Sequence, residues 1–493
     1  MKNLVKKTIN LTILAALSIT VFTGSHGAVS AATSSDIDLL NPYAGVNWAK
    51  DGQYLSNLHT HTTFSDGANT QVQMFQAYQN LNYDFLVFTD HDFIASPWPN
   101  FNINDGKLTT AGGVGGTTGL SSVNGWKTSN VLTFKGQEVS KTGWENHHFG
   151  SYFSDFLSDG TAPDCATLIK QCADYDANGL QVLFHPGRYA YWYYKADGTT
   201  KYDSPRYSDP SNADHTNVDS RFYNIGSNSY DVVNSAINPN IVSWYVEQYK
   251  NIKSLVGMEI LNAGNQYIRD RELWDDVLTQ TMPARPVWAY ANDDSHGTGN
   301  DSYGSSLINR DMETFVLPQK SVTAFKSAMM NGNFYVSSRY TLSGKGYFTS
   351  GADRTKALPK ITDITVDKTA GTIKITGTNY NTITWISCGN VVETGDTVNY
   401  KTTAGVTKYV RAVLTGDGGE SFTQPFGIVD ASVSGIISDI NAIPNALKKT
   451  DSSKVAQIRA AYDALTEVQK ALVTNYNYLT AAEAKLAQLA ASK

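Results

Sequence analysis

The 493-residue chain predicts an α/β domain that is followed by a small all-β module and a helical module. From about residue 52 to residue 340, short apolar segments alternate with helical stretches, which is typical of an α/β barrel or a parallel sheet. Residues 359–429 alternate apolar and polar side chains between Gly and Asp turns, which favours a small Ig-like β-sandwich. Beyond residue 433, apolar stripes at helical spacing predict a three-helix module.

The N-terminal segment has the order of a secretion signal. Lysines at positions 2, 6 and 7 precede an apolar stretch over 9–22, and small residues follow over 28–32. This predicts a signal peptide over residues 1–32 and a secreted protein, with a retained anchor helix as the alternative. No later run approaches the roughly 18 apolar residues of a membrane span, so we expect none in the mature chain. Residues 33–350 would then form the α/β domain, 351–430 the β-sandwich and 431–493 the helical module.

Composition narrows the class of protein. The chain has a net charge of −6 and a pI near 5.9, whereas nucleic-acid-binding proteins are typically basic, so this composition does not favour nucleic-acid binding. Cys165, Cys172 and Cys388 are an odd number and do not form a disulfide framework, which for an exported chain favours a Gram-positive source. The chain contains neither a serine nucleophile elbow nor a phosphate-binding P-loop.

The elements of the α/β domain alternate along the chain. We expect helices over 72–81 and 166–177, and strands over 131–139, 147–153, 180–186, 255–262 and 287–296. A Gly-rich segment over 101–125 predicts a loop. The Tyr-rich segment over 188–240 predicts a long excursion, which either forms a substrate wall or is an ordered surface insertion.

Residues that bind metals well follow the first predicted strand. His59 and His61 lie two residues apart, so on a strand both imidazoles point to one face and can chelate one ion. Asp66 offers a third ligand in the turn that follows, and His91 ends the next strand. Taken alone, His59 and His61 could be two solvated histidines on a surface strand. The second strand end, with His91, makes this alternative much weaker.

Most other apolar runs also end in a histidine or a carboxylate. The full candidate set of metal ligands is His59, His61, Asp66, His91, Glu138, His147, His185, Asp294 and His296. Nine nitrogen and oxygen ligands exceed the need of one ion, so we expect two or three divalent ions of Zn, Mn or Fe. Glu138 is the natural bridging carboxylate.

Three further residues are candidates for roles beside the ligands. Arg188 either holds a substrate anion or pairs with a carboxylate. Glu259 and Asn262 end the predicted strand over 255–262, and we expect them to orient ligands rather than to bind metal. The catalytic residues of this hypothesis are Glu138, Asp294 and Arg188.

The motifs resemble those of the PHP (polymerase and histidinol phosphatase) superfamily of metal-dependent hydrolases. The matching phrases are His59-Thr-His61, Ser65-Asp-Gly67, Thr89-Asp-His91, Gly136-Gln-Glu138, His147-His-Phe-Gly150, His185-Pro186 and Asp294-Ser-His296. The resemblance implies a distorted (β/α)7 barrel with a multinuclear metal site. It assigns His147 as the ligand of its motif, although a register slip of one residue would select His148.

The resemblance also implies a reaction. Most members of the superfamily are phosphoesterases, so we expect a secreted hydrolase whose bound hydroxide attacks phosphorus in a small-molecule or envelope-derived ester. Phrases over 258–262 and 332–338 are similar to the carbaryl-hydrolase branch, which makes carboxylic or carbamate esters the alternative. A surface binding protein with a structural metal is a third reading, but structural sites are closed and rich in Cys. The C-terminal modules could associate with the cell envelope.

Overall fold

The computed structural model describes most of the chain, in several stretches. The described residues are 37–94, 131–140, 147–194, 201–203, 223–224, 229–230, 235–263, 267, 269–298, 308–339 and 355–491. The expected signal peptide over 1–32, the Gly-rich loop over 101–125 and most of the Tyr-rich segment lie outside these residues.

The first half of the described chain alternates strands and helices. Its elements are Ile37–Leu40 (β1), Gly52–Asn57 (β2), Gln71–Asn80 (α1), Phe85–Leu86 (β3), Gly136–Val139 (β4), Phe149–Tyr152 (β5), Cys165–Tyr175 (α2), Leu180–Leu183 (β6), Gly187–Ala190 (α3), Tyr191–Tyr194 (β7), Lys201–Asp203 (β8), Tyr223–Asn224 (β9), Ser229–Tyr230 (β10), Ser235–Ile237 (β11), Pro239–Asn251 (α4), Leu255–Asn262 (β12), Asp270–Thr281 (α5) and Trp288–Asn292 (β13).

The second half is rich in strands and ends in helices. Its elements are Asp311–Leu317 (β14), Val322–Asn331 (α6), Phe334–Ser338 (β15), Lys360–Asp367 (β16), Thr372–Thr378 (β17), Thr382–Ser387 (β18), Asn390–Thr394 (β19), Thr397–Asn399 (β20), Tyr409–Gly416 (β21), Gly419–Phe422 (β22), Phe426–Asp430 (β23), Ala431–Asn441 (α7), a 3₁₀ turn at Lys449–Asp451, Ser452–Asp463 (α8), Glu467–Leu472 (α9) and Tyr476–Ala491 (α10).

Side-chain caps fix where several helices begin. Asp164, Asn238 and Ser321 each accept a hydrogen bond from a backbone N–H in the first turn of α2, α4 and α6. Such a cap contributes about 1 kcal/mol because the first N–H groups of a helix have no partner within it. α6 ends at Gly332, whose φ of 76° is the left-handed conformation that glycine adopts without strain.

Two sheets of the α/β part carry the strand ends of interest. A five-stranded sheet has the order β13-β12-β6-β5-β4, in which β6, β12 and β13 are parallel. β2 and β3 are parallel neighbours at one end of a ten-stranded sheet. Single bridges at Thr60–Ser295, Phe85–Leu132 and His91–Glu138 connect the two sheets.

The expected distorted (β/α)7 barrel is not confirmed, because the described strands do not close into a barrel. β3 is only two residues long, and the sheets meet through single bridges instead of continuous ladders. A ladder needs several consecutive residues in register on both strands. The architecture is therefore a mixed α/β fold, whose two larger sheets are accompanied in this part of the described chain by the small sheets β10-β9 and β11-β7-β8.

The expected Ig-like module is also not confirmed as a separate unit. β16, β17 and β20 form a small sheet of their own, but β22 pairs with β15 and β23 pairs with β1. The apolar layer between the two sheets includes Ile375, Trp385 and Leu414, and Tyr335 of β15 belongs to the same layer. The β-rich segment thus shares a sheet with the α/β part because the hydrogen bonds of β15 continue into it.

The C-terminal segment folds as α7–α10, four helices where three were expected. Val433, Ile437 and Leu479 are fully buried and pack in one cluster with Ala284 and Val429 of the preceding part. The Tyr478 hydroxyl donates to the carbonyl of Tyr249 at 2.5 Å. Among the described residues, no helix combines the length and the apolar character that a membrane crossing requires.

Candidate metal centre

The ends of several strands bring the predicted ligands together. His59 and His61 follow β2, and Asp294 and His296 follow β13 in the parallel part of the adjoining sheet. The backbone holds these two segments side by side, since the N–H of His61 donates to the Ser295 carbonyl at 2.8 Å. Polar residues beyond the carboxyl ends of parallel strands meet at one edge, so the sequence pattern alone placed them near each other.

Glu138, on β4, is the centre of the cluster. Its side chain is 1% exposed. The Oε2 atom lies 3.2 Å from His59 Nε2, 3.0 Å from His61 Nε2 and 3.3 Å from His91 Nδ1. The Oε1 atom lies 2.6 Å from His148 Nδ1 and 2.9 Å from His185 Nε2. One buried carboxylate therefore meets histidines from five positions in the chain and can bridge two ions.

Three overlapping groups could each hold an ion, since the ligand atoms within each group lie within 4.8 Å of one another. The groups are His61, Asp66, His91 and His296; His59, His61, Glu138 and Asp294; and His91, Glu138 and His148. Glu138 belongs to two groups, and so do His61 and His91. The expected multinuclear arrangement is compatible with this geometry.

The hydrogen bonding of the cluster fits a metal centre. His61 Nε2, His91 Nδ1 and Asp294 Oδ1 are buried and have no hydrogen-bond partner. Yet His61 Nε2 lies 3.2 Å from Asp294 Oδ1, in a close contact that is not a hydrogen bond. Buried polar atoms are nearly always paired, so convergent unpaired nitrogen and oxygen atoms indicate a site for a cation. The donor types are those that Zn, Mn and Fe ions accept.

The charges of the cluster are strongly coupled. Burial alone would raise the pKa of Glu138, but the charges of His59, His148 and His91 hold it well below its usual value. Burial would lower the pKa of His59, but Asp294, Glu259 and Glu138 raise it well above its usual value. Without a metal, the carboxylates therefore keep protons on this histidine, and a divalent cation would take over that role.

Two ligand candidates have a strained backbone. His185 and Asp294 have φ values of 30° and 46°, which is the left-handed region that non-glycine residues rarely occupy. Residues are held in such conformations mainly where the surrounding structure and a function require it. In both cases the turn directs the side chain of a residue just beyond a strand toward the cluster.

His148 contacts Glu138, whereas His147 belongs to none of the three ligand groups, so the geometry favours the register-slip alternative, and the ligand role of His147 stays a prediction. His147 lies 4.8 Å, between ring centroids, from Trp244, in a stacked arrangement, and its Nδ1 lies 3.2 Å from the Tyr245 hydroxyl. Burial lowers the pKa of His147 to about 3, so it is a neutral core residue. Neighbouring residues on an extended chain point to opposite faces, so a register change of one residue decides which histidine binds.

His185 lies at the centre, and the backbone N–H of Arg188 donates to its carbonyl at 2.9 Å. Burial lowers the pKa of His185 to about 3, which leaves its imidazole neutral and able to bind a cation. Arg188 stands one short turn later, in α3, and its charge lowers the pKa of both His148 and His185. The guanidinium is therefore near the cluster, as an anion-binding residue would have to be.

Buried carboxylates outside the ligand groups orient the ligands. Glu259 is 0% exposed, and its Oε1 lies 2.9 Å from His59 Nδ1. Its Oε2 accepts hydrogen bonds from the His185 N–H and the Asn262 amide. The expected orienting role of Glu259 and Asn262 therefore matches their contacts. Asp90 similarly accepts from the N–H and the hydroxyl of Thr62, next to His61.

Comparisons with known proteins give structural matches only. No family model and no curated protein matches the chain. A two-domain protein from Bacteroides vulgatus, described as containing a predicted PHP-like metal-dependent phosphoesterase, matches with 14% identity over 77% of this chain and 96% of its own, at a TM-score of 0.35.

Two further solved structures match the chain. A candidate metal-dependent phosphoesterase from Bifidobacterium adolescentis is 12% identical over 51% of this chain and 91% of its own, at a TM-score of 0.27. An amidohydrolase from Chromobacterium violaceum, solved with sulfate and without metal, is 12% identical over 56% of this chain and 96% of its own, at a TM-score of 0.26.

The fold and the site together define a class. The chain has a mixed α/β fold with a buried cluster of His, Glu and Asp side chains that could hold metal ions. Its motifs resemble those of the PHP superfamily.

Proposed function

We propose that the protein is a multinuclear metal-dependent hydrolase that cleaves phosphoesters. The observation that carries the proposal is the convergence of His59, His61, His91, His148 and His185 on one buried carboxylate, Glu138. The unpaired buried atoms around that carboxylate support metal binding rather than a structural hydrogen-bond network.

The residues of the cluster would hold two or three divalent ions, of Zn, Mn or Fe. Such ions, when bound, lower the pKa of a water molecule and stabilise negative charge on an ester oxygen. Glu138 bridges the neighbouring groups of ligands and balances their charge. Asp294 lies 3.2 Å from both His59 and His61, so it can accept a proton at the centre or complete a ligand group.

Arg188 binds the anionic part of the substrate in this proposal. A guanidinium matches the geometry of a phosphoryl group, because its N–H donors lie in one plane. Its charge acts on His148 and His185 on the same side of the centre. A phosphoester would therefore be held between Arg188 and the ions, whereas a neutral carbamate would gain less from this arginine.

Location and physiological substrate are parts of the same proposal. The N-terminal signal pattern supports secretion, and a secreted hydrolase would meet small-molecule or envelope-derived esters. The C-terminal segments would associate with the cell envelope.

One experiment separates the reaction classes. The purified chain is analysed for bound metals and assayed on p-nitrophenyl phosphate, bis(p-nitrophenyl) phosphate and p-nitrophenyl acetate, with and without a chelator. We expect two or three ions per chain and phosphoester cleavage that the chelator stops. Cleavage of the acetate ester alone would move the assignment to carboxylic or carbamate esters, and a chain that binds no metal would refute the site.

The same assay with variants locates the activity. Glu138→Gln should lose bound metal and turnover, because it removes the charge that joins the ligand groups. Glu483→Gln is the matched control, since Glu483 pairs with Arg459 in the C-terminal helices and is remote from the centre. Full activity in Glu138→Gln would contradict the proposed site.

A further inference from the structure

A large cavity lies where β1, the α/β part and the C-terminal helices meet. Its volume is 770 Å³, and its wall includes Leu39 of β1, Val256 of β12, Trp288 of β13 and Tyr478 of α10. Ligand sites of about 300–1,000 Å³ occur preferentially at such junctions. The size suits one small organic molecule.

The cavity is remote from the metal centre. Val256 and Trp288 lie at the beginning of β12 and β13, whereas Asp294 and His296 follow the end of β13. From Trp288 to Asn292 β13 extends roughly 13 Å at 3.3 Å per residue, and Asp294 lies beyond its far end. The cavity is therefore a separate site, and its assignment does not depend on the hydrolase proposal.

The charge of the lining residues has one sign. Lys253, Arg285 and Lys368 line the cavity, and none of the described residues in its wall is acidic. Lys368 is paired with Asp38 at 2.7 Å, outside the cavity wall. The other two cations face no carboxylate in the described part of the chain.

Backbone carbonyls are the hydrogen-bond acceptors of these two cations. Lys253 donates to the carbonyl of Ile443. Arg285 donates to four carbonyls, of Tyr249, Ile252, Leu255 and Pro286. The rings of Tyr249 and Tyr478 also lie near these cations, but neither carbonyls nor rings carry the negative charge that would neutralise them.

Two further observations indicate a ligand with a polar group. Burial, together with the charges of Arg285 and Lys454, lowers the pKa of Lys253 to about 7, and an anion bound beside it would favour its charged form. Asn445, in the cavity wall, has a buried amide oxygen with no hydrogen-bond partner, and the other orientation of the same amide presents its N–H donors to an anion. Leu39, Val256 and Trp288 supply apolar wall around these polar groups.

We propose that this cavity binds a small amphiphile that carries one carboxylate on an apolar body. The carboxylate would lie beside Lys253 and Arg285, where it supplies the absent negative charge. The apolar body would lie against Val256 and Trp288. A neutral apolar molecule of the same size would fill the space but leave the cations unpaired.

Fluorescence titration of the full chain with dansyl-undecanoate tests the proposal. We expect saturable binding of one probe per chain, displacement by dodecanoate below its micelle concentration, and little displacement by dodecanol. Lys253→Met should weaken binding about tenfold, because it removes one charge contact to the carboxylate. Lys454→Met, which removes a charge close by but outside the wall, should stay within about twofold.

A second variant fills the cavity without disturbing its wall. Gly45 lines the cavity, and a Cβ atom built there meets nothing within 4 Å. Gly45→Trp should therefore fold, keep its bound metal and lose probe binding. If Gly45→Trp does not fold by circular dichroism, Ala442→Phe at an exposed lining position replaces it.

Three results would overturn the proposal. These are no saturable binding by the wild-type chain, displacement by dodecanol as effective as by dodecanoate, and wild-type affinity in a folded cavity-filling variant. Equal losses in Lys253→Met and Lys454→Met would show that the probe responds to net charge and not to the cavity.

Discussion

At the scale of single residues, the metal centre depends on which of two adjacent histidines faces Glu138. His148 lies 2.6 Å from the carboxylate, whereas His147 stacks on Trp244 in the core. His148→Ala should therefore lose bound metal and lower kcat/KM by on the order of 100-fold or more, since it removes a ligand. His147→Gln should retain its metal content. The reverse pattern in elemental analysis would show that His147 is the ligand.

Glu259 is expected to position His59 instead of binding metal itself. Glu259→Gln keeps the shape but removes the charge that orients the imidazole, so metal affinity should fall about 10- to 100-fold. The measurement is a competition titration with a chromogenic chelator. Glu313→Gln is a matched control, because Glu313 is also fully buried but contacts Ser56 and the Ala291 N–H rather than a histidine. Equal losses in both variants would indicate a general effect of core glutamates.

Lys253 should make stability depend on pH. Burial lowers its folded pKa to about 7 from the ordinary lysine value of 10.5, so the unfolded chain binds more protons between these values. Stability from this residue therefore rises as pH increases from about 7 toward 10.5, and its cost is full below 7. Lys253→Met should be about 1–2 kcal/mol more stable than wild type at pH 7. Urea unfolding at pH 7 and pH 9.5 checks this, and a gap that does not narrow at the higher pH would contradict it.

At the scale of elements, one buried ion pair joins α5 to the β-rich segment. Arg411 on β21 donates twice to Asp275 at 2.7 and 2.6 Å, and the Tyr409 hydroxyl donates to the same carboxylate at 2.6 Å. Both charges are nearly fully buried. The pair therefore couples the packing of the two segments.

Removing one partner of this pair should be more damaging than removing both. Arg411→Met leaves the Asp275 carboxylate buried without its cation, which costs about 3–5 kcal/mol. The double variant Arg411→Met/Asp275→Leu should recover much of that loss, since no charge is left unpaired. Urea unfolding of both variants measures the difference. A double variant as unstable as Arg411→Met would show that packing, and not charge, joins the elements.

At the scale of the whole molecule, the C-terminal helices cover the end of the fold that is opposite the metal centre. Val433 and Ile437 bury apolar surface against Ala284 and Val429. A chain that ends at residue 430 should lose several °C in Tm because this surface becomes exposed. Its metal content and its turnover of small esters should stay close to those of the full chain. Loss of metal on truncation would show that the helices also support the centre.

Deletion of the β-rich segment, unlike deletion of the C-terminal helices, should disrupt the fold. β22 pairs with β15, which itself pairs with β14 beside β2, and β2 leads directly to His59. The hydrogen bonds of one sheet thus extend from the β-rich segment to the strand that carries the first ligands. The β-rich segment is therefore part of the sheet that supports the site, whereas the C-terminal helices only pack against the fold. In the sequence both resembled separate modules.

The sequence by itself determined the ligand types and the periodicity of the elements. The histidines and carboxylates that follow parallel strands meet at one edge because such strands deliver their carboxyl ends to the same side. β5 is antiparallel to both of its neighbours and brings His148 to the cluster at its start. The helix expected over 72–81 begins and ends within one residue of α1, since its apolar spacing and its Thr70 cap are both local signals.

Only the tertiary structure decided which side chains meet. Whether His147 or His148 points to the cluster depends on how β5 is oriented in its sheet. The local sequence pattern does not fix the strand register to within one residue. The pairing of β22 with β15 joins residues more than 80 positions apart, so no local sequence signal predicts it. Closure of the strands into a barrel depends on hydrogen bonds between distant segments, and here single bridges take the place of those ladders. The residue types can be read directly from the sequence. Contacts between distant strands depend on how all the apolar faces are buried together.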